Sequence, residues 1–219
     1  MMNIREEALQ WVRVGILVAI WVRVLYISKT GLAISWDAVK QLPAVVTVYA
    51  ILSYVFTKWL WRAPLLQGWL VPFPDLHGTW QGEIRSTWRD QKTGQELPPI
   101  PIVFVIKQSF LSISCAMHTQ ESDSYSRAAQ FSQDDDGTSR LSFDYTNRPR
   151  AMVRDRIAIH DGAAILRIVG RHRRTLEGEY WTSRRTTGDI SLKFRSRDLL
   201  EDIPGYFPFS PATPFRKAS

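Results

Sequence analysis

Gly78-Thr79-Trp80-Gln81-Gly82-Glu83-Ile84-Arg85-Ser86-Thr87-Trp88 alternates residue by residue. Trp80, Gly82, Ile84, Ser86 and Trp88 share one face, and Thr79, Gln81, Glu83, Arg85 and Thr87 share the other. Successive strand side chains point to opposite sides, so the stretch reads as a strand with one buried and one wet face. The alternation returns downstream. Leu111, Ile113, Cys115 and Met117 alternate with Ser112, Ser114, Ala116 and His118, and Leu141, Phe143 and Tyr145 with Ser142, Asp144 and Thr146. Near the end, Ile190, Leu192 and Phe194 alternate with Ser191, Lys193 and Arg195. Turn signals punctuate these runs at Lys92-Thr93-Gly94, Asp135-Asp136-Gly137, Asp161-Gly162 and Thr187-Gly188. No helical stripe of useful length interrupts them. About eight antiparallel strands on short turns read as a small up-and-down barrel or a sandwich over 76–197. The barrel is expected, because closure removes exposed strand edges.

Upstream the pattern changes. Leu42 to Thr57 contains no charge, and Lys58, Trp59, Trp61 and Arg62 follow at once. As a helix, Leu42 to Trp61 reaches about 30 Å, the thickness of a bilayer core. Pro43 falls in the first turn, and the Trp/Lys/Arg cluster suits a membrane interface. Leu9 to Ile27 is of similar length but carries Arg13 and Arg23, which leave only Val14 to Val22 free of charge. Each arginine can reach toward its nearer surface, with Trp11 and Trp21 setting depth. A cleaved signal peptide needs a small-x-small site, and 21–26 offers none. Two buried helices of a soluble core are the other option, but the second is apolar round its whole circumference. The expectation is a transmembrane hairpin over 1–62, with helices at about 9–27 and 42–61. A linker, 63–75, holds Pro64, Pro72 and Pro74, and a tail, 198–219, is rich in Pro and Phe.

The connector Ser28 to Gln41 carries Lys29, Asp37 and Lys40, a balance too even to set orientation alone. The single cysteine, Cys115, forms no internal disulfide, so the barrel and both termini are expected on the cytoplasmic side of the membrane.

Net charge is +7, and arginines crowd the chain from Arg140 to Arg197. Guanidinium forks match phosphate oxygens and stack on bases, and Tyr145, Tyr180 and Trp181 are interleaved with them. Each arginine also has a plainer use, as a solvated strand face or a partner for Asp144, Asp155 or Glu179. The strongest segment is Tyr180 to Thr187. Tyr180 and Thr182 lie on one strand face, and Arg184, Arg185, Thr186 and Thr187 sit at the turn beyond. Tyr145 and Asn147, ending an earlier strand, face them across a barrel. These eight residues are the candidate ligand contacts, although a structural hairpin accounts for the same composition. No enzymatic activity is expected. His77, His118, His160 and His172 are scattered, one thiol makes no zinc site, Asp134 to Gly137 lacks a calcium-loop continuation, and Ser109, Ser112 and Ser114 lack an elbow. No cofactor or metal is expected.

Gly78-Thr79-Trp80 resembles the Gly-x-Trp opening of lipocalin-like barrels. That resemblance implies that Trp80, following Gly78, closes one barrel end, with Arg195 or Arg197 packed over it. The whole layout resembles the two-transmembrane, β-strand-rich effector family of bacterial CBASS anti-phage systems, typified by CD-NTase-associated protein fifteen. Three features carry this: the apolar hairpin, Pro74-Asp75-Leu76-His77-Gly78-Thr79-Trp80-Gln81-Gly82, and Leu176-Glu177-Gly178-Glu179-Tyr180-Trp181-Thr182-Ser183-Arg184-Arg185-Thr186-Thr187-Gly188. The resemblance implies a cytosolic barrel that binds a cyclic dinucleotide or related cyclic oligonucleotide made by a partner CD-NTase after infection. Ligand-driven self-association and disruption of the lipid bilayer would follow, giving abortive infection. Two other classes stay open. A membrane-tethered carrier of a hydrophobic ligand needs an apolar interior with an open mouth. A tethered nucleic-acid-binding β module needs its arginines on one outer face.

Overall fold

The computed structural model describes residues 42–67, 70–89, 94–134, 136–170 and 175–200, with scattered positions between 10 and 23. The strands are β1 (Gly78–Ser86), β2 (Ile100–Gln108), β3 (Ile113–His118), β4 (Ser122–Gln133), β5 (Ser139–Pro149), β6 (His160–Val169), β7 (Thr175–Thr182) and β8 (Thr187–Ser196). Each is bonded to the next, and β8 returns to pair with β1. The expected up-and-down barrel is the architecture observed, and the sandwich is not.

Alternation sets which residues fill it. Trp80 stands opposite Phe104 on one side and Phe194 on the other. Trp80 and Phe104, with Ile84, Ile102, Leu141, Phe143, Leu166, Leu176, Ile190 and Leu192, form the buried interior, and Phe194 is half-buried beside them. Gly78 is required where it stands. Its φ is 134°, and a Cβ there would lie 2.3 Å from the Ser196 carbonyl oxygen. Trp80 is 1% exposed and meets Phe194 edge-on at 5.3 Å. The late basic residue is Arg197, whose guanidinium lies 5.9 Å over the Phe194 ring rather than on Trp80 itself. Arg195 points outward to the Gln81 side chain.

Two assigned positions leave their strands. Trp88 lies past the end of β1, and Leu111 is exposed in the β2–β3 turn, which Ser109 N–H closes by donating to the Ser112 carbonyl at 2.8 Å. Order also runs past residue 197. The Thr79 hydroxyl donates to the Asp198 carbonyl at 2.5 Å and accepts from Leu200 N–H at 2.9 Å. Leu200 then packs on Val103 and Val105, on the outer face of β2.

The chain divides into two compact units. One holds most of the barrel. The other gathers the chain up to Leu76 with Gln108–Ile113 and Gln130–Arg140. Within this second unit, helix α1 (Leu42–Lys58) stops short of the expected Trp61 and gives way to a 3-10 turn over Leu60–Arg62. Trp59 leaves helical geometry at φ −131°, and Ala63 is held extended by the proline that follows it. Trp61, Phe73, Phe110 and Phe131 are all buried, with Phe73 stacked on Phe131 at 5.6 Å and Phe56 edge-on to Phe110 at 4.9 Å. Arg62 donates to the Gln108 carbonyl at 3.1 Å, lies 3.7 Å from the Asp75 carboxylate, and stacks on Trp61 at 5.2 Å. The Gln108 amide in turn holds Pro74 and Leu76.

Among the described residues no helix is long and apolar enough to cross a membrane, α1 having 17 residues. Most of the first expected helix, Arg13 included, lies outside the described residues, as do Ser28–Gln41 and the tail beyond Leu200. Arg23 is one of the isolated described positions, helical and exposed.

Trp80→Ala is expected to cost about 3–5 kcal/mol of stability and Gly78→Ala about 1–3 kcal/mol. Arg195→Ala should stay within about 0.5 kcal/mol. Urea unfolding of the detergent-solubilised chain, followed by circular dichroism, measures all three.

Candidate functional site

In an up-and-down barrel the finish of β1, β5 and β7 and the start of β4, β6 and β8 lie at one end. Here the inward positions change character along the strands. Where β1 begins they are Trp80, Ile106, Leu141, Leu176 and Phe194. Where β1 finishes they include Ser86, Ser122, Ser124, Tyr145, Asn147, Tyr180 and Thr182, with Met117 opposite Ser124 as an apolar exception. Buried polar groups need partners, so this end is organised by hydrogen bonds rather than by apolar packing.

Two glycines make room for the rings. A Cβ on Gly162 would sit 2.6 Å from the Tyr145 Cζ and phenol oxygen, and one on Gly188 would sit 2.7 Å from the Tyr180 ring. Both tyrosines are buried, at 3% and 8% exposure. Burial pushes the Tyr145 phenol well above its ordinary value, and the nearby Tyr180 adds to this. Burial likewise raises Tyr180, partly offset by its hydrogen bond with Ser86. Asn147 donates Nδ2 to Ser122 Oγ at 3.0 Å and to Ser124 Oγ at 2.9 Å, while its buried Oδ1 has no protein partner.

The β7–β8 turn forms the rim. Thr182 and Thr186 join hydroxyl to hydroxyl at 2.6 Å, and Thr182 N–H donates to the Thr186 carbonyl at 3.0 Å. Arg185 takes the left-handed conformation, φ 62°, that turns the chain. Arg184 and Arg185 are both exposed on this turn. Thr187 does not join them at the lumen. Gly188 faces inward, so its neighbour faces out, and Thr187 pairs instead with the Thr87 hydroxyl at 2.8 Å. Of the eight candidates, Tyr145, Asn147 and Tyr180 thus line the lumen. Thr182 and Thr186 close the rim, Arg184 and Arg185 stand on it, and Thr187 lies outside.

Charge pairing sorts the arginines. Arg127 bridges Asp144 and Asp161 at 3.1 and 3.3 Å, Arg140 meets Asp134 at 2.6 Å, Arg167 reaches Glu177 at 3.7 Å, and Arg156 pairs with Glu121. Among the described residues Arg148, Arg150, Arg184 and Arg185 have no ion pair, and all four are exposed at the polar end. Arg171, Arg173 and Arg174 lie outside the described residues. Elsewhere, Asp136 accepts from Thr138 N–H at 2.8 Å, which holds its carboxyl below the usual range at a hairpin tip. Burial drives the Cys115 thiol far above its ordinary value. A surface depression of about 600 Å3 on the outer face of β8, β1 and β2 is lined by Gln81, Glu83, Pro99, Pro101, Ser191 and Lys193, away from the polar end.

Sequence reading missed Ser122 and Ser124, the two residues that hold Asn147. Their signal is the alternation Ser122-x-Ser124-x-Ser126, which a search for apolar periodicity passes over because the inward face is itself polar. Ser86 stood on the inward face of the quoted strand without being assigned a role.

The class defined by this geometry is a closed eight-stranded β-barrel with one hydrogen-bonding inner end. Its family is also defined. The family described as Cap15, cyclic dinucleotide receptor domain, matches residues 71–194, from just before β1 into β8, and the chain belongs to it. Over 169 residues the chain is 24% identical to CD-NTase-associated protein 15 of Staphylococcus schleiferi, covering 77% of this chain and 86% of that one. Over 146 residues it is 26% identical to CD-NTase-associated protein 15 of Escherichia albertii, covering 66% and 72%. The family resemblance carried by Pro74–Gly82 and Leu176–Gly188 is therefore the right one.

Both phenols have folded-state pKa values raised above the unfolded value near 10. Their contribution to stability is full below that value. It is lost as pH rises past it, since the unfolded chain then ionises first. Replacing both Tyr145 and Tyr180 by Phe should flatten the alkaline decline of urea midpoints measured between about pH 8 and 11.

Proposed function

We propose that the chain is a cyclic-dinucleotide-sensing effector of bacterial anti-phage defence, tethered to the inner membrane, whose ligand occupies the polar end of the barrel. The observation that carries this is the coincidence at one end of buried phenol, amide and hydroxyl groups with four arginines that have no ion pair. Guanidinium groups at the rim suit two phosphates, and Tyr145 and Tyr180 offer ring faces to bases. The family's description supports the ligand class. A carrier of apolar molecules fits less well, because Phe104 packs on Phe143 at 5.4 Å and Trp80 on Phe194 at 5.3 Å within the apolar part of the lumen. A nucleic-acid surface also fits less well, since Arg127 and Arg167 on the outer strand faces are neutralised by acids.

The membrane part of the reading rests on α1, which exposes Val46, Val48, Ile51, Leu52 and Tyr54, a surface that lipid accepts and water does not. In this reading residues 1–62 form a two-helix transmembrane hairpin, the barrel and both termini are cytoplasmic, and 28–41 lies outside. Arg13 and Arg23 shorten the charge-free part of the first helix to about nine residues, half of what a comfortable span needs. Ligand-driven self-association would concentrate such helices and thin the bilayer until it fails.

Equilibrium binding of the full chain to cyclic dinucleotides, fatty acids and single-stranded RNA tests the ligand class; binding of only the latter two refutes it. Arg184→Ala and Arg185→Ala should each weaken cyclic dinucleotide binding about tenfold or more, the loss of one charge-assisted bond, while Arg127→Ala leaves it unchanged.

A chimera with an inert two-span hairpin in place of 1–62 should bind ligand yet leave cells intact; lysis by that chimera would reduce the native segment to a tether. Ser35→Cys, measured against the buried Cys115 as background, should label from outside intact cells.

A further inference from the structure

We infer that Asn147 Oδ1 is the acceptor that reads the nucleobase, taking an N–H from the base edge inside the barrel, with Ser122 and Ser124 as the residues that position it. This rests on the cyclic dinucleotide reading above and specifies where within that site base identity is sensed.

The argument begins with protons. The Thr119 hydroxyl donates its one proton to the Ser122 carbonyl at 3.0 Å. Its oxygen accepts from the N–H groups of Glu121 and Ser122 at 3.2 and 2.9 Å, which fixes the turn that carries Ser122. Toward Asn147 the Ser122 oxygen so held acts as the acceptor of an Nδ2 proton at 3.0 Å. Ser124 Oγ takes the second amide contact at 2.9 Å. Both amide protons are thus spent on the two serines, which hold Oδ1 on the opposite side of the amide.

What remains is a lone pair. Asn147 is 9% exposed, and its Oδ1 is buried without a partner. A buried acceptor of this kind is satisfied by whatever enters the lumen. An asparagine with free amide protons can address an edge that both donates and accepts; this one, its donors used, offers acceptance alone and is repelled by a carbonyl. Tyr145, two residues earlier on the same inward face, lies over Gly162 and provides a ring beside that acceptor. The arginines of the rim contact phosphate, which is the same in every cyclic dinucleotide and carries no base information. Base choice therefore falls to the lumen.

The test uses the full chain in detergent with cyclic di-AMP, cyclic di-GMP and cyclic di-UMP as probes, read by calorimetry. The parent should rank the three. Asn147→Leu should weaken the preferred probe about tenfold or more and compress the ranking, whereas Arg184→Ala should weaken all three by one common factor. The double change Ser122→Ala, Ser124→Ala keeps the acceptor but frees the amide to rotate, and should compress the ranking too. It also decides the matter if Asn147→Leu proves unfolded by circular dichroism. A folded Asn147→Leu, or failing that the double serine variant, that keeps the parent's ratios overturns the inference alone. So does a parent that binds all three equally. A parent that binds none overturns the cyclic dinucleotide reading and this inference together.

Discussion

The pairing of β1 with β8 is the constraint on which everything else depends. Trp80 to Ser86 run in continuous register against Gly188 to Phe194, with a shift only between Thr79 and Trp80. Once that ladder forms, no strand edge is left to pair with another chain, and the pleat of every strand is locked in phase with its neighbours. Phase is what makes a site possible. A slip of one residue would turn Tyr145, Asn147 and Tyr180 to solvent and bring Asp144, Thr146 and Trp181 inward. Register thus fixes the chemistry of the lumen as firmly as it fixes the core.

Much of this was legible in the chain because the information was local. Trp80, Ile84, Leu141, Phe143, Ile190 and Leu192 declare their strands by alternation, and the turn glycines separate them. β4 is different. Ser122, Ser124, Arg127 and Gln130 carry no apolar period, and it is a strand because its neighbours on both sides need hydrogen-bond partners. The same reason hid half of the polar end. Asn147 was visible as a strand-end residue, but its two serines come from 23 and 25 positions earlier in the chain and meet it only through the register of the β4–β5 hairpin. Thr187 was misplaced by taking a turn as a cluster, when strand parity had already assigned its side.

Pairing also explains why so basic a chain is not basic everywhere. Arg127, Arg140, Arg156 and Arg167 each have a carboxylate nearby, and such exposed pairs contribute little to stability, about 0–1 kcal/mol each. Their effect is on the field. They cancel part of the charge away from the rim, where Arg148, Arg150, Arg184 and Arg185 stand without acidic partners.

Thr79, Asp198 and Leu200 set the limit of the folded unit. The family match stops at residue 194, and the strand ladder ends at Ser196. Yet one hydroxyl on β1 satisfies the backbone at both 198 and 200, and Leu200 shields two valines on the outside of β2. A protease that clipped between 196 and 198 would spare every ladder bond of the barrel. It would also strip the Leu200 cover from Val103 and Val105 and leave only Ala116 against them, so the shortened product would tend to stick to its own kind through a face the intact molecule keeps covered.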